Sequence, residues 1–211
     1  MRKKSEIIEI MRTFERENPD PQCELIFHNP YTLLVAVVLS AQSTDKSVNK
    51  ATEALFKVAD SPQKMLALGE EKLKEYIKTI GLFNNKAKNI ILLSRQLVDD
   101  YGGKVPADRN TLTKLAGVGR KTANVVMNVW YHQPTLAVDT HVMRIAHRLD
   151  FSQGKTPLEV EQDLMQVLPE DMVVNTNHWL VLFGRYICKA QKPLCEKCLI
   201  ADYCKSNDKR C

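Results

Sequence analysis

Apolar side chains along this chain fall three and four residues apart almost everywhere, and no stretch alternates as a half-buried strand would. The pattern predicts an all-α protein of short helices. Start signals recur. Asn29-Pro30, Ser61-Pro62 and Thr156-Pro157 each set a capping side chain before a proline at the first helical position, and Thr156 with Glu159 makes a capping box. Stop signals answer them: Gly81 is expected to close the helix that carries Leu73, Ile77 and Ile80, and Gly102-Gly103 the one that carries Ile90, Ile91, Leu97 and Val98. No internal repeat, low-complexity segment or flexible linker marks a domain boundary.

Residues 112–126 read LTKLAGVGRKTANVV and predict helix, hairpin, helix. Asp108 caps a short helix through Leu112 and Leu115, Gly117-Val118-Gly119 reverses the chain, and a second helix runs from about Arg120 to Trp130. The glycines permit positive φ and let backbone approach a ligand, while free N–H groups at the new helix start favour an anion such as a phosphate diester. Arg120 and Lys121 sit there against the helix dipole, which typically costs a few tenths of a kcal/mol or more per cation, so they point to a local need other than helix stability. A plain αα-hairpin with a basic edge is the competing explanation.

Around Asp139, eighteen residues beyond Lys121, TLAVDTHVMRIAHRL predicts a helix capped by Asp139 or Thr140 that buries Val142, Ile145 and Leu149. Capping alone accounts for Asp139. A lysine amine, however, is a nucleophile only when neutral, and from a solution pKa near about 10.4 it must be tuned down by partial burial or by neighbouring cations such as Arg120. A carboxylate would raise that pKa. Its useful roles are to accept a proton during attack or to stabilise an oxocarbenium-like sugar as a base departs.

Composition adds bounds. The longest apolar run, Leu33 to Leu39, is far short of the roughly 20 residues of a membrane span, and the basic start MRKKSEIIEIMRTFERE carries acids throughout. A cytoplasmic, reducing setting is therefore expected, in which six cysteines are not structural disulfides. Four of them, Cys188, Cys195, Cys198 and Cys204, form a C-x6-C-x2-C-x5-C array within 17 residues, which suits one tetrahedral zinc or one iron–sulfur cluster; spacing alone does not choose. With all four positions filled by protein, such a centre is structural. Cys23 reads as a buried small residue and Cys211 as incidental. From Arg185 to Cys211 seven cations face three acids, so +4 of the net +5 lies there, and a tied-down loop would present Lys189, Lys192 and Lys197 to a polyanion.

Together, LAGVGRKTANVV, AVDTHV and the cysteine array resemble the endonuclease III family of DNA glycosylases, in the helix-hairpin-helix Gly/Pro-Asp superfamily. The likeness runs over nearly the whole chain, and LSAQSTDKSVNKA resembles the family's segment after its first barrel helix. It implies a two-domain all-α helix-hairpin-helix glycosylase fold: a six-helix barrel over 22–132 and an iron–sulfur cluster domain from 1–21 and 133–211, with DNA bound across the cleft. It also implies a [4Fe-4S] cluster on Cys188, Cys195, Cys198 and Cys204 in preference to zinc. Lys121 matches the Schiff-base nucleophile and Asp139 the essential carboxylate of a bifunctional DNA N-glycosylase and abasic-site lyase, active as a monomer on duplex DNA with an oxidised pyrimidine or an abasic site.

By the same likeness Gln42 fills the gap left by the extruded nucleotide and Leu82 wedges the opposite strand. Gly117, Val118, Gly119, Arg120, His141, Lys189 and Lys192 contact the DNA backbone. For Leu82 the competing role is a core residue, for Gln42 a polar link between helices, and for His141 a helix cap. Two positions depart from the family pattern: Ala116 where proline usually precedes the hairpin glycines, and His132 where glycine is common. A monofunctional glycosylase of the same fold, or a non-catalytic DNA-binding module, are the rival functions; Lys121 argues against the first.

Overall fold

The computed structural model describes residues 1–207; Asp208, Lys209, Arg210 and Cys211, and the expectations attached to them, lie outside the described residues. The chain is 63% helical, and no strand occurs among the described residues. It divides into two compact units, Cys23–Gln133 on one side and Met1–Gln22 with Pro134 onward on the other.

The first unit is organised by α2 (Pro30–Ser40), whose residues from Tyr31 to Leu39 are all buried. A helix apolar on every face must be wrapped by others. Here α3 (Asp45–Val58), α6 (Phe83–Tyr101) and α8 (Arg120–Val129) pack against it, with α4 (Pro62–Leu68) and α5 (Glu70–Ile77) on α6 and the one-turn α7 (Arg109–Leu112) on α8. The expected caps form: Asn29 Oδ1 accepts from the Thr32 amide, Ser61 Oγ from Lys64, and Asp108 from Thr111. The Thr111 hydroxyl and amide hold the Asp108 carboxyl below its usual range. Gly102, at φ 59°, closes α6 in the left-handed conformation, and the Gly103 amide donates back to Leu97 O at 2.7 Å.

Gly81 does not end a helix. α5 stops at Ile77, because Lys78 to Leu82 turn tightly and the Ile80 amide returns to Ile77 O at 2.8 Å. Gly81 instead lies in that turn, ahead of Leu82. Cys23 is half-buried against the core of this unit rather than fully enclosed.

The second unit joins α1 (Lys4–Glu17) to α9 (Thr140–Arg148), α10 (Pro157–Val167) and α11 (Glu170–Tyr186). Ile7, Ile10, Met11 and Phe14 place one apolar face of α1 in its core, where Phe14 meets Phe183 edge-on at 5.0 Å. The Trp179 indole N–H donates to Asn18 O at 2.7 Å and the Tyr203 hydroxyl to Glu9 at 2.9 Å, so the chain start is tied to its end. Thr156 and Glu159 form the capping box of α10. Among the described residues beyond α11, two 3-10 turns, Cys195–Lys197 and Ala201–Tyr203, are regular.

Candidate functional site

The hairpin before α8 is held by the side chains beneath it. Gly117 adopts φ 74°, and a Cβ there would lie 2.9 Å from Asn89 Cβ, so both backbone conformation and packing require glycine. Val118 points inward, 5% exposed, and its amide donates to Leu115 O at 3.1 Å. It therefore anchors the turn and has no amide to offer a ligand. The amides of Gly117, Gly119, Lys121 and Thr122 make no hydrogen bond among the described residues, and a Cβ on Gly119 would meet open space. These donors, with the positive end of the α8 dipole, form a site suited to an anionic oxygen.

The departure at Ala116 has a local explanation. Its amide donates to Gln96 Oε1 at 2.8 Å, and Gln96 Nε2 donates to Lys114 O at 3.3 Å. Proline has no N–H to make the first of these bonds. A glutamine on α6 thus clamps the turn that a proline ring would otherwise stiffen. Lys121 and Arg120 stand exposed on the first turn of α8, so the folded chain alone does not supply the partial burial expected for the amine.

Asp139, half-buried, is the N-cap of α9: its Oδ1 accepts from the His141 amide at 2.8 Å and the Val142 amide at 2.9 Å, and Oδ2 takes no part in the cap. Val142, Ile145 and Leu149 are buried as expected. The His141 ring lies against Arg144, with 3.3 Å between Nδ1 and Arg144 Nη2, and close to Gly184.

Gln42 and Leu82 are neither core nor linking residues. Both are exposed, Leu82 at 59%, and both adopt left-handed backbone, φ 55° and 59°. Their turns adjoin, since a Cβ on Gly81 would lie 3.8 Å from Gln42 O. Lys192 is also exposed and left-handed, φ 50°, and Lys189 and Lys197 are exposed. Non-glycine residues held in this region typically cost about 1 kcal/mol or more each and gather at functional sites. Among the described residues only five do so, the others being His132 and Asp150. No sequence pattern marks these conformations.

Cys188, Cys195, Cys198 and Cys204 line one small, half-open pocket of about 30 Å³ together with Ile187, Pro193, Leu194 and Ala201. A single zinc at about 2.3 Å from each sulfur would draw the sulfurs to about 3.8 Å from one another. Four cysteines around one pocket are a donor set for a tetrahedral ion or an iron–sulfur cluster. Burial pushes the thiols of Cys188 and Cys198 up, so proton release accompanies ligation. Sequence reasoning missed the arginines behind them: Arg148 donates to Cys188 Sγ at 3.3 Å and to Lys189 O at 2.7 Å, and Arg144 to Cys188 O at 3.2 Å and Gly184 O at 2.8 Å. Their spacing on α9 is legible, but their targets lie some 40 residues away.

Residues 35–170 match the HhH-GPD superfamily of base excision DNA repair proteins, and residues 188–204 match the iron-sulfur binding domain of endonuclease III. The endonuclease III of Haemophilus influenzae is 52% identical and that of Escherichia coli K12 50% identical, each over 206 residues and 98% of both chains. A solved endonuclease III–DNA covalent intermediate, trapped as an estranged-adenine complex, superposes with a TM-score of 0.92 at 46% identity, covering 97% of each chain. The chain belongs to the endonuclease III family. It is a base excision repair DNA glycosylase and abasic-site lyase that binds DNA and carries a [4Fe-4S] cluster. No described helix is long and apolar enough to cross a membrane.

Proposed function

We propose that Lys121 is the nucleophile of this reaction, Asp139 its carboxylate, and oxidised pyrimidines in duplex DNA its substrates. The observation that carries this reading is the position of Lys121: an exposed primary amine on the first turn of α8, beside the unpaired amides of Gly119, Lys121 and Thr122. Amides and dipole hold a phosphate of the strand, and the amine is then within reach of the adjoining sugar. Bound DNA displaces water from the lysine, supplying the desolvation that the free protein lacks.

The damaged nucleotide leaves the stack. The neutral Lys121 amine attacks C1′, the glycosidic bond breaks, and the base departs with its electron pair and takes up a proton. The carboxylate of Asp139, whose Oδ2 is free of the cap, stabilises the cationic sugar and accepts the proton that nitrogen loses. The sugar ring then opens, the C1′–O4′ bond breaking as O4′ takes up a proton, and the iminium so formed acidifies the C2′ hydrogen; its removal expels the 3′ phosphate and cuts the strand. Gln42 and Leu82 enter the duplex at the vacated position and opposite it, and Gly117, Gly119, Arg120, Lys189 and Lys192 grip phosphates, with Val118 anchoring the turn and His141 steadying α9. Cys188, Cys195, Cys198 and Cys204 hold the cluster, which fixes the basic loop and takes no part in the chemistry. The cytoplasm is the compartment this assignment suits.

Asp139→Asn tests the carboxylate cleanly, because an asparagine oxygen caps a helix about as well as an aspartate. The variant should fold and bind damaged duplex as the parent does, while single-turnover base release falls by about a hundredfold or more. Parental turnover by Asp139→Asn would reduce Asp139 to a cap.

A further inference from the structure

Lys86 is a charged side chain inside the first unit, 6% exposed, with no carboxylate partner among the described residues. Its ammonium donates to Leu39 O at 2.9 Å, Ala41 O at 2.6 Å and Ser43 Oγ at 3.0 Å. These oxygens bracket Gln42. The two carbonyls belong to the C-terminal end of α2, where orphan acceptors and the negative end of the dipole favour a cation. The backbone amide of the same residue donates to Leu82 O at 3.1 Å, and the Leu82 turn abuts the Gln42 turn. Filling the core does not explain the charge, since methionine would occupy the same volume without desolvating an ammonium. Burial does lower the Lys86 pKa, as expected for a cation held by neutral oxygens alone.

We propose that Lys86 is a positioning residue for base extrusion: its buried ammonium holds the left-handed turn at Gln42 against that at Leu82, so the two side chains enter the duplex as a preset pair. This rests on the reading above that Gln42 and Leu82 enter DNA. Without the ammonium, three oxygens beside Gln42 lose their donor and the turn relaxes toward unstrained backbone.

The test compares Lys86→Met, Lys86→Arg, Gln42→Ala, Leu82→Ala and the Lys86→Met/Gln42→Ala double variant. Thermal melting and cluster absorbance give the folded fraction of each. Single-turnover base release is measured on duplex carrying an oxidised pyrimidine, unstacking by 2-aminopurine beside the lesion, and borohydride trapping on a preformed abasic site. Per folded molecule, Lys86→Met should slow base release about tenfold and blunt the 2-aminopurine signal, trapping on the abasic site should fall less than about threefold, and Lys86→Arg should stay within about threefold of the parent. The double variant should be no slower than about twofold below Lys86→Met, because both changes disable one device. If Lys86→Met folds too poorly to assay, Ser43→Ala removes one of the three acceptors and should give a smaller loss with the same non-additivity. Parental base release by folded Lys86→Met, or losses that multiply in the double variant, would overturn the role of Lys86 while Gln42→Ala and Leu82→Ala remain impaired. Full activity in Gln42→Ala and Leu82→Ala would overturn both this inference and the reading on which it rests.

Discussion

The hairpin before α8 and the cysteine loop after α11 are both short, irregular and basic, yet different things hold them. The hairpin is fixed by the chain itself: Gly117 seated on Asn89, Val118 buried, and Ala116 and Lys114 clamped by Gln96. The loop from Cys188 to Cys204 has two 3-10 turns, few core side chains, exposed Leu194 and Leu199, and a small pocket in place of a core. Arg144 and Arg148 brace its start, the Tyr203–Glu9 hydrogen bond and buried Ile200 its end. The comparison teaches that one of these basic elements is encoded by packing, and the other by the cluster proposed to lie among its four cysteines.

The comparison breaks most visibly if the cluster is removed. Cys198→Ser should abolish the visible absorption and open the loop to trypsin at Lys189 and Lys197, since metal-dependent folds lose their whole ligation free energy, several kcal/mol at least. Amide exchange at Val118 should stay protected in the same sample, because none of the hairpin's supports involves the cluster. Protection lost equally in both regions would show that the two are not held independently.

Next in size is Gly117→Ala, which meets both a positive φ and Asn89 at 2.9 Å. A destabilisation of about 2 kcal/mol or more is expected in urea unfolding, with weaker DNA binding and an unchanged cluster spectrum. Gln96→Leu should cost about 1–2 kcal/mol by leaving the Ala116 amide without its acceptor. Pairing it with Ala116→Pro should recover much of that loss, and a pair as unstable as the single variant would remove the clamp explanation. Smallest is His132→Gly. His132 is exposed at φ 50°, so glycine should stabilise the protein by about 0.5 kcal/mol through relief of strain. A loss of stability would mean that the histidine makes contacts worth more than its conformation costs.

Much of the fold was legible along the chain because its signals are local. A cap and the amide it accepts from lie two or three residues apart, as at Asn29, Ser61, Asp108 and Thr156, and the apolar period marks the buried faces of α1 and α9 directly. Where reasoning failed, the deciding contact leaves no periodic signal. Gly81 looks like a helix stop, but the Ile80 amide's return to Ile77 closes the turn first. Lys86 reads as one more cation on an amphipathic helix, and its acceptors lie 43 to 47 residues away. Gln96 meets the hairpin 18 to 20 residues on, and neither it nor the left-handed backbone at Gln42, Leu82 and Lys192 leaves a periodic trace. The cysteine array lies between these cases: its spacing announces a metal centre, while the choice of an iron–sulfur cluster comes from the family it belongs to.

The central claim is that the amine of Lys121 becomes bonded to deoxyribose. Borohydride reduction during turnover on damaged duplex, followed by proteolysis and mass spectrometry of the cross-linked peptide, tests it directly. The account predicts one adduct per chain, on the peptide bearing Lys121, and none in Lys121→Ala. An adduct on any other lysine or on the N-terminal amine, or an undiminished adduct in Lys121→Ala, would contradict it.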